Sequence, residues 1–121
     1  MQATGVQIKR AYDAPAKTDG VRLLVDRIWP RGVSKDNLPL DAWRKDLAPS
    51  TALRTWFGHD PAKWDEFVDR YRAELESADA WDSLRELARQ ARKERVTLVF
   101  GARDVERNQA VALKRFIDEL D

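Results

Sequence analysis

The order of apolar and polar residues changes period along the chain, and the changes mark the elements. Residues 6–12 alternate, which sets Val6, Ile8, Arg10 and Tyr12 on one face of a strand. Residues 13–20 carry Pro15, Asp19 and Gly20, the chemistry of a turn. A compact apolar run follows, Val21-Arg22-Leu23-Leu24-Val25, whose tail Asp26-Arg27-Ile28-Trp29 stops at Pro30 and Gly32. Val96-Thr97-Leu98-Val99-Phe100 is a further such run. Runs without alternation suit strands covered on both faces, as in a parallel sheet between layers of helices.

Between these last two strands the period lengthens to that of a helix. Asp60 and Pro61 read as an N-cap and a first helical residue, and Trp64, Phe67, Val68, Tyr71 and Leu75 then form one apolar stripe. Trp81, Leu84, Leu87, Ala88 and Ala91 form a second stripe, closed by the basic residues Arg92, Lys93 and Arg95 at the negative end of the helix dipole. The last helix is predicted from Asp104 to Leu120, with Leu113, Phe116, Ile117 and Leu120 inward. Shorter helices are predicted over residues 38–47, through Leu40, Trp43 and Leu47, and over residues 50–57, terminated by Gly58. The order predicts an α/β fold: a small, mostly parallel sheet of three or more strands with helices on both faces, as a single layered domain over residues 1–121. An antiparallel pairing of strands 6–12 and 21–28 is the alternative.

Composition removes several function classes. The 121 residues are 43% hydrophobic and 36% charged, but the charges nearly cancel to +1. That balance lacks the global field of a dedicated nucleic-acid binder. The chain has no Cys and one His, so disulfides, thiol catalysis and multi-histidine metal centres are excluded. No apolar run approaches the length of a membrane span, and the first ten residues hold no signal region, so a soluble cytoplasmic protein is expected. Charge is unevenly spread. Residues 1–35 hold seven bases against three acids, and residues 60–86 hold nine acids against four bases. Solvated helix faces account for this better than electrostatic steering does.

Chemistry-bearing residues crowd in two stretches. Asp26-Arg27-Ile28-Trp29-Pro30-Arg31-Gly32 follows an apolar strand, and ligands of open α/β sheets bind outside the carboxyl ends of strands. Arg27 and Arg31 offer planar forks for a carboxylate or phosphate, and Asp26 a base or an arginine partner. Trp29 offers a flat wall, whereas Trp43, Trp56, Trp64 and Trp81 read as core. The second stretch is Gly101-Ala102-Arg103-Asp104 with Asn108, joining a strand to the last helix. Arg103 and the helix N-terminus suit an anion, although Asp104 also reads as a plain cap. Asn108 is placed one turn into that helix, on the face of Asp104. If the strands are parallel and adjacent, both stretches converge on one edge. His59 lies in a junction between helices, where a structural role outweighs a catalytic one. No nucleophile elbow, dinucleotide fingerprint, phosphate-cradling loop or histidine metalloprotease motif is present.

The chain resembles the YeaO-like branch of the domain-of-unknown-function family numbered 488. The resemblance rests on Arg10 with Tyr12-Asp13, on residues 25–32, on residues 41–50 with Trp43 and Pro49-Ser50, on residues 72–75, and on residues 102–104 with Asn108 and Ala110. It implies a small bacterial α/β protein and supplies no catalytic residue. Other branches look as though they place Cys and His near the loop after the last strand. This chain has Arg103, Asp104 and Asn108 there, so thiol chemistry does not transfer.

Together these readings favour a small-molecule enzyme or binding protein for an anionic, phosphate- or nucleotide-like ligand. Arg27, Arg31 and Arg103 would hold the anion, Asp26 or Asp104 would act as catalytic base, and Trp29 and Asn108 would contact the ligand. No metal site or cofactor is specified by the sequence. The rival reading is a non-catalytic module that binds nucleic acid or an acidic protein through the basic segments. A structural partner anchored by an exposed Trp is a third.

Overall fold

The computed structural model describes residues 4–120. The ends of the expected domain, residues 1–3 and 121, lie outside the described residues. Four strands form one sheet: β1 (Gly5–Arg10), β2 (Val21–Leu24), β3 (Ala42–Trp43) and β4 (Arg95–Phe100), in the spatial order β1-β4-β2-β3. Every pairing is parallel. β4 lies between β1 and β2, with Val96 opposite both Val6 and Val21. The antiparallel alternative is thereby excluded, because residues 11–20 carry the chain past β4 rather than through a hairpin.

The four α-helices are α1 (Thr51–Phe57), α2 (Trp64–Ser77), α3 (Ala80–Ala91) and α4 (Gln109–Glu119). Their apolar stripes join Val6, Leu23, Val25, Val96, Leu98 and Phe100 in one core. Burial of these residues from water is the main term that holds the helices on the sheet. The fold class is the α/β class that the pattern predicts, but the covering is uneven. Where the pattern predicts helices on both faces, the second face carries a smaller cluster of Ala11, Leu24, Leu38 and Val99, flanked by Trp29, Val33, Leu40 and Trp43. Loops and short 3₁₀ turns cover it, none of the four α-helices.

That second face explains the charges inside the strand sequences. Asp19 is 1% exposed and accepts from Lys9 at 3.0 Å, from Gln7 at 3.2 Å and from Arg22. Thr97 donates to the Asp19 carbonyl at 2.6 Å and accepts from Gln7 at 2.8 Å. A buried carboxylate is tolerable only when paired and hydrogen-bonded, and here it is both.

Three predicted boundaries change. β1 ends at Arg10, so Tyr12 is not on its face; Asp13 N–H bonds to the Arg10 carbonyl and turns the chain. The helix predicted over residues 38–47 is absent. Pro39 cannot donate and disfavours a helical residue before it. Instead Asp41 N–H and Arg44 N–H bond to the Arg22 and Leu24 carbonyls, each at 2.8 Å, and make β3 the edge of the sheet. The last helix begins at Gln109, not near Asp104. Asn108 is its N-cap, accepting from Val111 N–H at 3.0 Å, whereas Asp104 caps its own loop by accepting from Glu106 and Arg107 N–H at 2.9 and 3.0 Å.

Asp60 accepts from Ala62 N–H at 3.0 Å and starts a 3₁₀ turn, Pro61–Lys63, that runs into α2. Ser50 caps α1, and Gly58 ends it in the left-handed conformation. No helix among the described residues is long and apolar enough to cross a membrane.

Candidate functional site

Parallel order puts the carboxyl ends of all four strands on one edge, where a cleft of about 500 Å³ opens. Asp26, Arg27, Trp29 and Arg31 line it from beyond β2. Gly101 and Ala102 line it from beyond β4, and Asn108 and Gln109 from the start of α4. The two stretches singled out in the sequence therefore meet, because β2 and β4 are parallel neighbours. Arg103 and Asp104 do not join them in the lining. The Asp104 loop turns on its own backbone, and its two backbone N–H bonds hold its carboxyl below the ordinary value of 3.8.

Asp26 is the one carboxylate in the lining. One oxygen accepts from Gly101 N–H at 2.8 Å and the other from the Gln109 amide. Burial lifts its pKa from 3.8 to about 6, against the opposing pull of the Gly101 N–H, the Arg54 charge and the Gln109 amide. Gly101 is required for this approach: a Cβ there would stand 3.0 Å from Asp26 Oδ2 and 3.6 Å from Pro30 Cβ. Burial thus holds the Asp26 carboxyl above the ordinary carboxylate range at the cleft.

The cations divide into two kinds. Arg27 donates to the Pro49 and Ala48 carbonyls at 3.0 and 3.3 Å, so it fixes the loop entering α1 more than it serves the cleft. Arg31 and Arg54 line the cleft with exposed side chains. His59 also lines it, and its backbone is left-handed, with φ of 57°, directly after Gly58 at 53°. A non-glycine residue held in that region costs on the order of 1 kcal/mol, and such strain recurs where a side chain is being placed for function. The ring lies 6.1 Å from that of Phe57, which stacks at 4.3 Å on Phe67. The lining holds three Arg and one His against a single carboxyl, and the N-terminal end of α4 adds its partial positive charge.

Trp29 lines the cleft as the sequence suggests. Its indole N–H donates to the Val33 carbonyl at 2.6 Å, and Trp43 meets it edge-on with ring centres 5.4 Å apart. Sequence reasoning missed Arg54, Gln109 and Tyr12, and left His59 as a structural junction. Arg54 sits on the solvent side of a short helix with no motif around it. Gln109 had one available signal, its place beside Asn108 at the start of a helix. No group of three or more potential metal ligands occurs among the described residues.

Residues 5–120 match the family described as "Inactive DUF488-N3 subclade". An uncharacterized protein of Mycobacterium tuberculosis and one of Mycobacterium bovis are each 40% identical to the chain over 118 residues, covering 98% of the chain and 98% of the relative. YeaO of Escherichia coli is 39% identical over 115 residues, covering 95% of this chain and 98% of that protein. No solved structure matches the chain. Similarity that runs from β1 through α4 at this level of identity leaves one assignment: the chain belongs to the DUF488 family, as a YeaO-like member.

Proposed function

We propose that this cytoplasmic, single-domain protein binds a small phosphate-bearing anion in the cleft at the carboxyl edge of its sheet, as a binding protein rather than a catalyst. The observation that carries the reading is the basic lining: Arg31 and Arg54 reach the cleft from separate segments, with His59 beside them, and one carboxyl shares it. Cleft walls of one sign concentrate the field and draw in the opposite ion.

Two features favour binding over turnover. The two carboxyls with a candidate role as base, Asp26 and Asp104, do not share the cleft. Asp26 has each oxygen held by one donor, Gly101 or Gln109, which fixes its orientation and leaves it acceptor positions for a ligand. The description of the matching family as inactive points the same way.

The test is thermal unfolding with inorganic phosphate, sulfate, ribose 5-phosphate and nucleotides. A ligand that binds only the folded state raises the midpoint as its concentration passes the Kd. Arg54→Ala, an exposed change, should remove the rise while circular dichroism stays unchanged. No rise with any of these anions would overturn the reading.

A further inference from the structure

Resting on that reading, we propose that the ligand is a ribonucleoside monophosphate: the base lies against Trp29, Ile28 and Tyr12, the phosphate meets Arg54 and His59, and the ribose hydroxyls meet Asp26.

Arg54 and His59 line the cleft from α1 and the turn after it, beside the apolar Phe57. The loops after β1 and β2 supply Tyr12, Ile28 and Trp29, together with Arg27 and Arg31. Among the described residues the exposed large hydrophobics are Tyr12 at 47%, Ile28 at 60% and Val105 at 53%, and the first two line this cleft. Apolar surface left open in a concave, otherwise charged site has a use only if the ligand brings apolar surface to it. A bare phosphate or a sugar phosphate brings none.

The aromatic side chains are also held in place. Trp29 is fixed by the Val33 carbonyl and by Trp43. Tyr12 donates to the Arg31 carbonyl at 2.9 Å, and the Arg10 guanidinium lies 4.8 Å from its ring centre. Arg10 in turn donates to the Ala102 carbonyl at 3.0 Å, which ties this wall to the end of β4. Rings already fixed lose little conformational freedom when a planar group stacks on them. Asp26 completes the set. A carboxylate has about four acceptor positions. Gly101 and Gln109 take one on each oxygen, which leaves acceptors for a pair of hydroxyls.

Calorimetric titration of the full chain with inorganic phosphate, ribose 5-phosphate, AMP, 2′-deoxy-AMP and a short single-stranded oligonucleotide separates the outcomes. AMP should bind on the order of tenfold more tightly than ribose 5-phosphate, about 1.4 kcal/mol, which is within what one stacked base supplies. The deoxy compound should fall between them. Ile28→Ala changes an exposed side chain, so the fold is retained. It should narrow the gap by weakening AMP and leave ribose 5-phosphate unchanged; Trp29→Phe should keep most of the gap. Equal affinities for AMP and ribose 5-phosphate would overturn the inference while the anion reading stands. Binding of the oligonucleotide alone would also overturn it. Silence from every probe would remove both.

Discussion

Asp26 and Gln109 stand 83 positions apart in sequence, yet the Gln109 amide donates directly to the Asp26 carboxylate. With the Gly101 N–H on the other oxygen, Asp26 joins the ends of β2 and β4 to the first turn of α4. One side chain thereby ties three segments together at the cleft, and it is the one carboxylate in the lining.

Asp26→Asn should stabilise the protein at neutral pH. The folded-state pKa, about 6, lies above the ordinary 3.8, so the folded state holds this proton more tightly than the unfolded chain. Its contribution favours folding below 3.8 and is lost as pH rises through 6. At about pH 7.5 the neutral amide avoids that loss and should gain roughly 1–3 kcal/mol, provided that Gln109 turns its oxygen toward the new N–H₂. Near pH 4 the gain should vanish. Urea denaturation at both pH values measures it, and an equal effect at both would contradict the argument.

Gly20→Ala should abolish the fold at ordinary temperatures. Gly20 has φ of 63° and ψ of −130°, a conformation that is open to glycine and to few other residues. An added Cβ would collide with the Arg95 carbonyl oxygen and stand 2.9 Å from Arg95 Cβ, at the start of β4. The neighbour is a strand within the sheet, so it cannot move aside without breaking pairing with β1 and β2. The cost should be several kcal/mol, comparable with the whole stability of a small domain. Circular dichroism and expression in soluble form would show it; a native-like melting curve would refute it.

Long apolar patterns were legible in this sequence, and short or polar ones were not. Residues 21–25 and 96–100 are apolar except for Arg22 and Thr97 and read as buried strands, and the stripes of α2 and α3 are spaced without ambiguity. β3 is two residues long and exists because Arg22 and Leu24 offer carbonyls to it, a fact that no local pattern encodes. The start of α4 was misplaced because Asp104 and Asn108 are both capping residues, and only the structure distributes the roles. The same limit applies to the site. Asp26 through Arg31 were visible because they cluster after a recognisable strand. Arg54 was invisible because an exposed Arg on a helix carries no mark of what it faces.

Asp19→Ala should cost about 3–5 kcal/mol, the range for removing one partner of a buried ion pair. Asp19 is 1% exposed and receives Lys9, Arg22, Gln7 and the Ala16 N–H. Without it two cations, Lys9 and Arg22, face each other with no carboxylate between them. Adding Lys9→Met to the Asp19→Ala chain should recover part of the loss, because it removes one of the stranded charges. A double-mutant cycle from urea midpoints tests the coupling; strictly additive losses would mean that the pair is not the source of the stability.

Anion affinity should rise as pH falls through 6, and Asp26 should be the reason. Its carboxyl has a pKa of about 6 and lies in the cleft with Arg27, Arg31, Arg54 and His59. An incoming anion disfavours the ionised form, so binding and proton uptake are coupled and each promotes the other. Sulfate is the right probe, because its own charge does not change across this interval, whereas that of phosphate does. The measurement is best made on a His59→Asn chain, in which the one histidine is gone and the remaining response belongs to the carboxyl. Sulfate should bind severalfold more tightly near pH 5 than near pH 7.5, and Asp26→Asn in the same background should flatten the profile at the tighter value. A profile that is already flat before Asp26 is changed would place the anion away from this carboxylate, and with it away from the cleft floor.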